Sequence, residues 1–593
     1  MNFHFLVFFK EALDWAKKNL THKQFIFLSS ILVGISVGFA SVVLKFFLHT
    51  IFEFISNNKL FHSQYFYAIL PITGIFLTVF VLKRFYGNSK FKGLPSLYKA
   101  IKKKSSLIPK NQMHAQIITS SLTVGFGGSA GVEAPIVLTG AAFGSNYAKT
   151  YKLSYNDRTL LLACGVSAGI GSAFNAPIAG VLFALEVLLI DVSITAFIPL
   201  IIAAASGTLV SKIILGSSIV LSFDNTTSFD YINVVFYVLL GVLAGLISVY
   251  HARVFMKIEN LLHTSNISQY GRVIIGGIFL ASLILIFPSL YGEGYESIKW
   301  LSLSHESKIM TNSLFENIVK NEWVILLIVG ILIFVKAIAT GLTLGSGGNG
   351  GNFAPSLFVG AYLGFFTAKF FNLFSQFKLP ESNFTLVGMA GILSGLYHAP
   401  LTAIFLIAEI TGGSTLMIPL MIVSSISFAI SRYFEPLSMD LKKISKEVDL
   451  SVTDKDAHIL SSIDLAKIID KDFTVIRPNQ TLGELVELIK HSDKNIFPVL
   501  DERDLFCGII LIEHIKDVMF SSKLYDRVLV KELLTYPNVY ATSHEPIDSI
   551  LKKLDQNDFW FLPVIDDLIF KGFISKNKIL SNYREKLKEA IIE

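Results

Sequence analysis

The stretch GFGGSAGVEAPIVLTGAAFGSNYAK, Gly125 to Lys149, returns as GSGGNGGNFAPSLFVGAYLGFFTAK, Gly345 to Lys369, at a constant offset of 220. Gly125 pairs with Gly345, Gly127 with Gly347, Gly128 with Gly348 and Gly131 with Gly351. Ala134–Pro135 pairs with Ala354–Pro355, Gly140–Ala141 with Gly360–Ala361, and Gly144 with Gly364. Chance similarity between two apolar helices does not hold so many glycines and a proline in one register, so the fold must contain the same unit twice. Each unit joins a glycine loop, free to take unusual backbone angles, to a proline suited to the first turn of a helix. A helix is therefore expected to start near Glu133, with its unpaired N–H groups and positive dipole end turned toward the loop. That arrangement attracts anions. One position breaks the match: Glu133 stands opposite Phe353. The repeated part reads as scaffold and the carboxylate as a specialisation of one copy.

The surroundings are those of a membrane protein. Hydrophobic residues make up 52% of the chain against 16% charged, and the long apolar runs lie between Gln24 and about Tyr433. Segments near 25–55 and 66–82 are long enough to span a bilayer. Lys17, Lys18 and Lys23 before the first and Lys83–Arg84 after the second place both clusters on the cytoplasmic side. Further helices are expected at about 113–124, 134–149, 158–172, 176–190, 195–215, 230–260, 270–288, 322–343, 354–374, 384–397, 400–411 and 415–433. Several are too short to cross alone, which is tolerated only inside protein or along a watery path. A second pairing, Gly165, Ala176–Pro177 and Glu186 with Gly388, Ala399–Pro400 and Glu409, runs at an offset of 223. Interrupted helices at matching places in two halves are a transporter-like signature, with the site where the halves meet and an inverted relation expected between them. From Glu435 onward charges are frequent, and the tail repeats at an offset of 65: Leu482, Leu485, Ile489 and Pro498 match Ile547, Ile550, Leu554 and Pro563. The fold class expected is an all-α polytopic membrane domain of two inverted repeats with broken helices, followed by a cytoplasmic α/β tandem module. Its parts are an N-terminal amphipathic helix (1–22), the membrane domain (23–445, repeats about 23–217 and 229–434), a linker (446–463) and two tail modules (464–525 and 526–593). Cys164 and Cys507 give no disulfide framework. A net charge of +6 is ordinary for a membrane protein and gives no ground for nucleic-acid binding. No nucleophile–base pair or metal-spaced cluster points to an enzyme.

Four short stretches, taken in order, resemble the CLC chloride channel and transporter family. GVEAP (Gly131 to Pro135) is similar to its GxExP motif, GNFAP (Gly351 to Pro355) to GxFxP, and FKGLP (Phe91 to Pro95) to GSGIP. FNAP (Phe174 to Pro177), followed by Gly180 and Glu186, is similarly typical. The tail resembles the family's tandem CBS pair. The resemblance implies passage of chloride or a similar small anion through a pore in each subunit of a homodimer. Glu133 would be the gate, with voltage- or pH-sensitive opening. The anion-binding positions it implies are Lys92, Gly93, Leu94, Gly131, Val132, Ala134, Asn352, Phe353, Ala354 and Asp440. Asp440 falls where the family carries its pore tyrosine, Ser438 being the other candidate. Val187 holds the place of the internal proton glutamate of many exchangers, which favours a channel over a proton-coupled antiporter. A membrane-anchored sensor signalling through the CBS tail is the alternative of another class.

Lys92 replaces a serine and either coordinates the anion or steers it from the mouth. A Lys92–Asp440 pair would replace the family's serine–tyrosine pair. Lys336, inside ILIFVKAIAT, is expected to snorkel. Glu186 and Glu409 read as a structural pair facing helix ends or the subunit interface, and Asn175 and His398 as helix N-caps. Both ribose-binding aspartates of a CBS nucleotide site are missing: the places hold His514 and Lys578, beside Leu511 and Ser575. A nucleotide is therefore not expected, nor any other cofactor or metal. The lipid bilayer, small inorganic anions and a second copy of the chain are the expected partners. The expected location is the plasma (inner) membrane, with both termini cytoplasmic.

Overall fold

The computed structural model describes residues 11 and 15–592 apart from 59–63, 88–90, 189–193, 217–228, 265–266, 304–305, 312, 314–320, 375–377, 412–414, 446–462 and 558. The expected N-terminal amphipathic helix and the linker lie mostly outside the described residues. The chain divides into Met1–Val448 and Asp449–Glu593.

In the first unit, helices α1 (His22–Asn57) and α2 (Gln64–Phe85) precede the short α3 (Gly93–Lys103). Then come α4 (Gln112–Gly125), α5 (Glu133–Thr150), α6 (Tyr155–Phe174), α7 (Pro177–Glu186) and α8 (Ile194–Leu215). The second half runs α9 (Val234–Thr264), α10 (Gln269–Ile286), α11 (Tyr295–Ser302), α12 (Glu322–Gly345) and α13 (Phe353–Phe374). It continues through α14 (Glu381–Tyr397), α15 (Pro400–Ile410), α16 (Met417–Phe434) and α17 (Met439–Ile444). Among the described residues, eight helices are long and apolar enough to cross a membrane. The first begins at a capping box, in which Thr21 and Gln24 satisfy each other's backbone N–H groups. Large apolar side chains such as Phe46, Ile213, Val235 and Phe279 stay exposed, as a lipid-facing surface requires.

The two halves meet across an approximate two-fold axis, and the contacts come in reciprocal pairs. Gly131 N–H donates to Gly351 O at 2.9 Å and Gly351 N–H to Gly131 O at 2.7 Å, a two-residue antiparallel bridge. Ser129 N–H donates to Thr343 Oγ1 at 3.1 Å, and Asn349 N–H to Thr123 Oγ1 at 2.9 Å. Further out, Glu186 at the end of α7 accepts from Leu401 and Thr402 N–H at the start of α15 (3.0 and 2.7 Å). Glu409 at the end of α15 accepts from Ile178 and Ala179 N–H at the start of α7 (3.1 and 2.8 Å). Each helix end caps the other's beginning, so α7 and α15 run in opposite directions. The repeats are inverted, and Glu186 and Glu409 face helix ends.

Within each half, glycine lets two helix backbones touch, the usual device where lipid supplies no hydrophobic drive. A Cβ on Gly140 of α5 would lie 2.1 Å from Gly165 O of α6. The same contact recurs in α13 and α14, where a Cβ on Gly360 would lie 2.4 Å from Gly388 O.

The second unit is a pair of small modules. The single turn α18 (Leu465–Ile468) comes first along this unit but packs in the core of the second module. In the first, α19 (Leu482–Lys490) precedes β1 (Ile496–Leu500), β2 (Phe506–Leu511) and α20 (Ile512–Met519). In the second, α21 (Ile547–Gln556) precedes β3 (Phe561–Asp566), β4 (Ile569–Ser575) and α22 (Lys576–Ile592). Both hairpins are antiparallel, and each gains one parallel bridge at equivalent places, Ile476 to Val499 and Ala541 to Val564. Leu482, Leu485, Phe497 and Ile510 fill the first core, while Ile547, Ile550, Leu562 and Ile574 fill the second.

Because a methyl group at either glycine meets backbone rather than a movable side chain, Gly140→Ala and Gly360→Ala should each destabilise the membrane unit. Overpacking of this kind costs about 1–3 kcal/mol. Thermal unfolding in detergent should show a lowered Tm for both and none for Ile213→Ala, a residue 73% exposed. An unchanged Tm for the two glycine variants would contradict the packing described.

Candidate functional site

The axis contact places two helix starts side by side, α5 with Glu133 at its first position and α13 with Phe353 at the equivalent one. Glu133 is buried, with 3% of its surface exposed. Its Oε1 accepts a short hydrogen bond from the Tyr295 hydroxyl at the start of α11. Its Oε2 has no hydrogen bond of full geometry and lies in the field of the N–H groups of Glu133 itself and of Ala354. The carboxylate thus spans the positive ends of both helices, where an anion would also settle. Glycine at 131 makes room for this approach, since a Cβ there would lie 2.8 Å from the Ala354 Cβ and displace Glu133 Oε2.

Three further charged groups surround this carboxylate. Glu293 Oε1 accepts from Val132 N–H at 3.2 Å. Lys336 of α12 is wholly buried, donates to Ser129 Oγ at 2.9 Å and Gly292 O at 3.4 Å, and lies 4.7 Å from the centre of the Phe358 ring. Lys45 of α1 donates to Ser172 O at 3.1 Å and lies within electrostatic reach of Glu293 and Glu133. Phe353 itself sits among Phe174, Phe183 and Tyr397, with ring centres 5.5, 6.1 and 5.7 Å away.

The other end of the site is built on α3, which packs against both α5 and α17. Gly93 takes φ +64° and opens α3, with Lys92 as N-cap, so the Gly93 and Leu94 amides head this helix. Lys92 Nζ donates to Gly347 O at 2.7 Å and Gly348 O at 3.2 Å. Asp440, in the first turn of α17 behind its N-cap Ser438, is buried. It lies within electrostatic reach of Tyr98 and Tyr397. The Tyr98 hydroxyl makes a short hydrogen bond to Val187 O. Among the described residues, no group of three or more His, Cys, Asp or Glu side chains could hold a metal ion.

Several expectations change. The Lys92–Asp440 pair does not form, because the glycine loop turns two carbonyls onto the Lys92 ammonium. Lys336 does not snorkel; it stays in the interior, held by Ser129 and the Phe358 ring. Gly131 and Val132 were expected to offer amides to an anion, but their N–H groups are engaged by Gly351 O and Glu293. The Asn352 side chain turns away to His251 Nε2 (2.9 Å) and Met439 Sδ (3.3 Å). Asn175 and His398 are not N-caps but left-handed C-caps of α6 and α14, at φ +58° and +56°. Ala176 and Ala399 are the N-caps that follow. Sequence reasoning missed Tyr295, Glu293, Lys45 and His251. The run Gly292-Glu293-Gly294, a carboxylate between two glycines that prove to have positive φ, is the signal by which the first two could have been found.

Interrupted helices in two inverted halves, meeting at a buried carboxylate, define a polytopic membrane protein of the kind that binds its cargo at the repeat interface. A family model described as voltage gated chloride channel matches residues 74–432, and a CBS-domain model matches residues 465–521. The chain therefore belongs to the voltage-gated chloride channel, or CLC, family and carries a CBS module. It is 27% identical over 321 residues to the voltage-gated ClC-type chloride channel ClcB of Salmonella typhimurium, covering 53% of this chain and 72% of that protein. It is 27% identical over 377 residues to the H(+)/Cl(-) exchange transporter ClcA of Klebsiella pneumoniae, covering 60% of this chain and 72% of that one. Among solved structures, a slow cyanobacterial Cl-/H+ antiporter shares the fold with a TM-score of 0.61 at 20% identity, covering 73% of this chain and 100% of that one. Both channels and exchangers are thus among its relatives.

The Tyr295 hydroxyl is a neutral donor to a charged acceptor, a bond whose loss costs about 1.5–3 kcal/mol. If Glu133 blocks the anion site, Tyr295→Phe should raise chloride efflux from proteoliposomes at neutral pH at least several-fold, roughly the factor that energy allows. An unchanged or lower efflux in a correctly folded variant would show that this bond does not hold the carboxylate in place.

Proposed function

We propose that the protein passes chloride or a similar small anion across a membrane through a pore in each subunit of a homodimer, with Glu133 as the gate. The observation that carries this reading is the Glu133 carboxylate lying across the positive ends of α5 and α13, held by Tyr295. A carboxylate there is the anion's competitor. Removing its charge takes away the competition, so conduction rises as protons reach it from the Glu133 side. The Gly93 and Leu94 amides, and those of Ala134, Phe353 and Ala354, supply the remaining donors, while Lys92 and Asp440 set the field at the opposite end.

A channel is favoured over a proton-coupled antiporter by Val187. Its side chain carries no proton, and its carbonyl is already taken by Tyr98. The antiporter is the second reading, motivated by the exchange transporters among the relatives. The homodimer gains support from apolar residues left exposed at repeat-related places, Ile178 with Leu401 and Ile198 with Ile418. The basic clusters around α1 and α2 support an orientation with both termini in the cytoplasm, and the plasma (inner) membrane is the proposed location. The CBS pair, with His514 and Lys578 where ribose-binding aspartates would stand, serves a structural or dimerising role.

Purified protein in liposomes, under a chloride gradient with the internal pH recorded, tests this directly. The channel reading predicts chloride efflux with no uphill proton movement, and faster efflux at neutral pH for Glu133→Gln. Uphill proton movement driven by chloride would replace the channel with the antiporter. No flux from any variant would point instead to a membrane-anchored sensor.

A further inference from the structure

The two ends of the site are built alike but charged oppositely. Lys92 stands immediately before Gly93 (φ +64°) at the head of α3, and Glu293 immediately before Gly294 (φ +89°) at the head of α11. Helix α3 packs against α5, and α11 against α13, the repeat partner of α5. Glu293 is thus the second half's counterpart of Lys92, and it occupies the Glu133 end.

Its bonding is unlike that of a structural ion pair. Glu293 Oε1 accepts from the N–H of Val132, the N-cap of α5 and the residue next to Glu133. The charged and titratable groups facing it are Glu133 of α5, Tyr295 of α11, Lys45 of α1 and Lys336 of α12. Among the described residues, no ammonium comes within salt-bridge distance of it: Lys45 is spent on Ser172 O, and Lys336 on Ser129 Oγ and Gly292 O. What holds Glu293 is a helix-start amide and the field of two nearby lysines, the same means that would hold an anion. Beside it, Glu133 Oε2 is buried without a full hydrogen bond. Two carboxylates placed at one desolvated site repel each other.

We propose that Glu293 is a second gate carboxylate, so that an anion reaching the start of α5 must displace Glu293 from the Val132 amide as well as Glu133 from its own place. The proposal rests on anion passage gated by Glu133 and adds a second titrating group to that gate. If Glu293 were only a strut between α11 and α5, its removal would alter stability but not the pH dependence of flux.

The test is chloride efflux from proteoliposomes, varying the pH on the Glu133 side over about 4 to 8, the range in which buried carboxyls titrate. Glu133→Gln removes the first gate. Its efflux should still rise about threefold or more as the pH falls, because Glu293 remains to be protonated. Adding Glu293→Gln should make the profile flat, while Glu133→Gln with Glu293→Asp should keep a pH-dependent profile with a shifted midpoint. A flat profile in Glu133→Gln alone, or an undiminished one in the double glutamine variant, would overturn the proposal. Should the double glutamine variant fail to fold, an aspartate variant matching Glu133→Gln at every pH would overturn it equally. Absence of flux from the wild type and from every variant would remove the anion-passage reading itself, and this inference with it.

Discussion

Two hydrogen bonds between Gly131 and Gly351 hold the membrane unit's symmetry at its centre. They join the two glycine loops back to back, and everything that turns toward an anion is set by where those loops end. The helix starts at Glu133 and Phe353 lie beside each other because the loops before them are paired. Side chains would crowd the bond: a Cβ on Gly351 would come within 2.6 Å of the Ala134 side chain, and one on Gly131 within 2.8 Å of the Ala354 side chain. The bonds that Thr123 and Thr343 accept from Asn349 and Ser129 N–H, and the exchanged caps of Glu186 and Glu409, repeat this reciprocity farther from the axis. Buried backbone at membrane depth must be satisfied internally, and here each half satisfies the other.

On this symmetric frame the chemistry is deliberately unequal. At equivalent positions the first half carries Glu133 and the second Phe353; the first carries Gln116 and the second Lys336. Gln116 Oε1 accepts from Asn349 at 2.9 Å, while Lys336 donates to Ser129, the repeat counterpart of Asn349. The contact is kept and the charge is changed. The result is one end with two carboxylates and two lysines, and another where Lys92 rests on carbonyl oxygens and α17 carries a buried Asp440. The field therefore differs between the two ends.

Much of the frame was legible in the chain because glycine and proline declare backbone geometry locally. The constant offset exposed the duplication, the Ala–Pro pairs marked helix starts, and the Glu133–Phe353 mismatch set one carboxylate apart from the repeated scaffold. What was not legible depended on partners distant in sequence. Lys336 reads as a lysine snorkelling out of an apolar run until Ser129 and Phe358 enclose it. Lys45 sits in a span whose burial depends on α6. Helix α11, YESIKWLS, is too short and too polar to announce a place at membrane depth, so Glu293 and Tyr295 passed unnoticed. Asn175 was misread for a subtler reason: asparagine favours both N-caps and left-handed C-caps, and only the backbone angle decides.

The central claim is that Glu133 occupies the place an anion would take between α5 and α13. Anomalous diffraction from crystals grown in bromide, for the wild type and Glu133→Gln at neutral pH, would test it most directly. The account predicts a bromide peak beside the Glu133 and Ala354 amides in the glutamine variant, at the place the carboxylate fills in the wild type. A peak at that place in both proteins, or in neither, would contradict it.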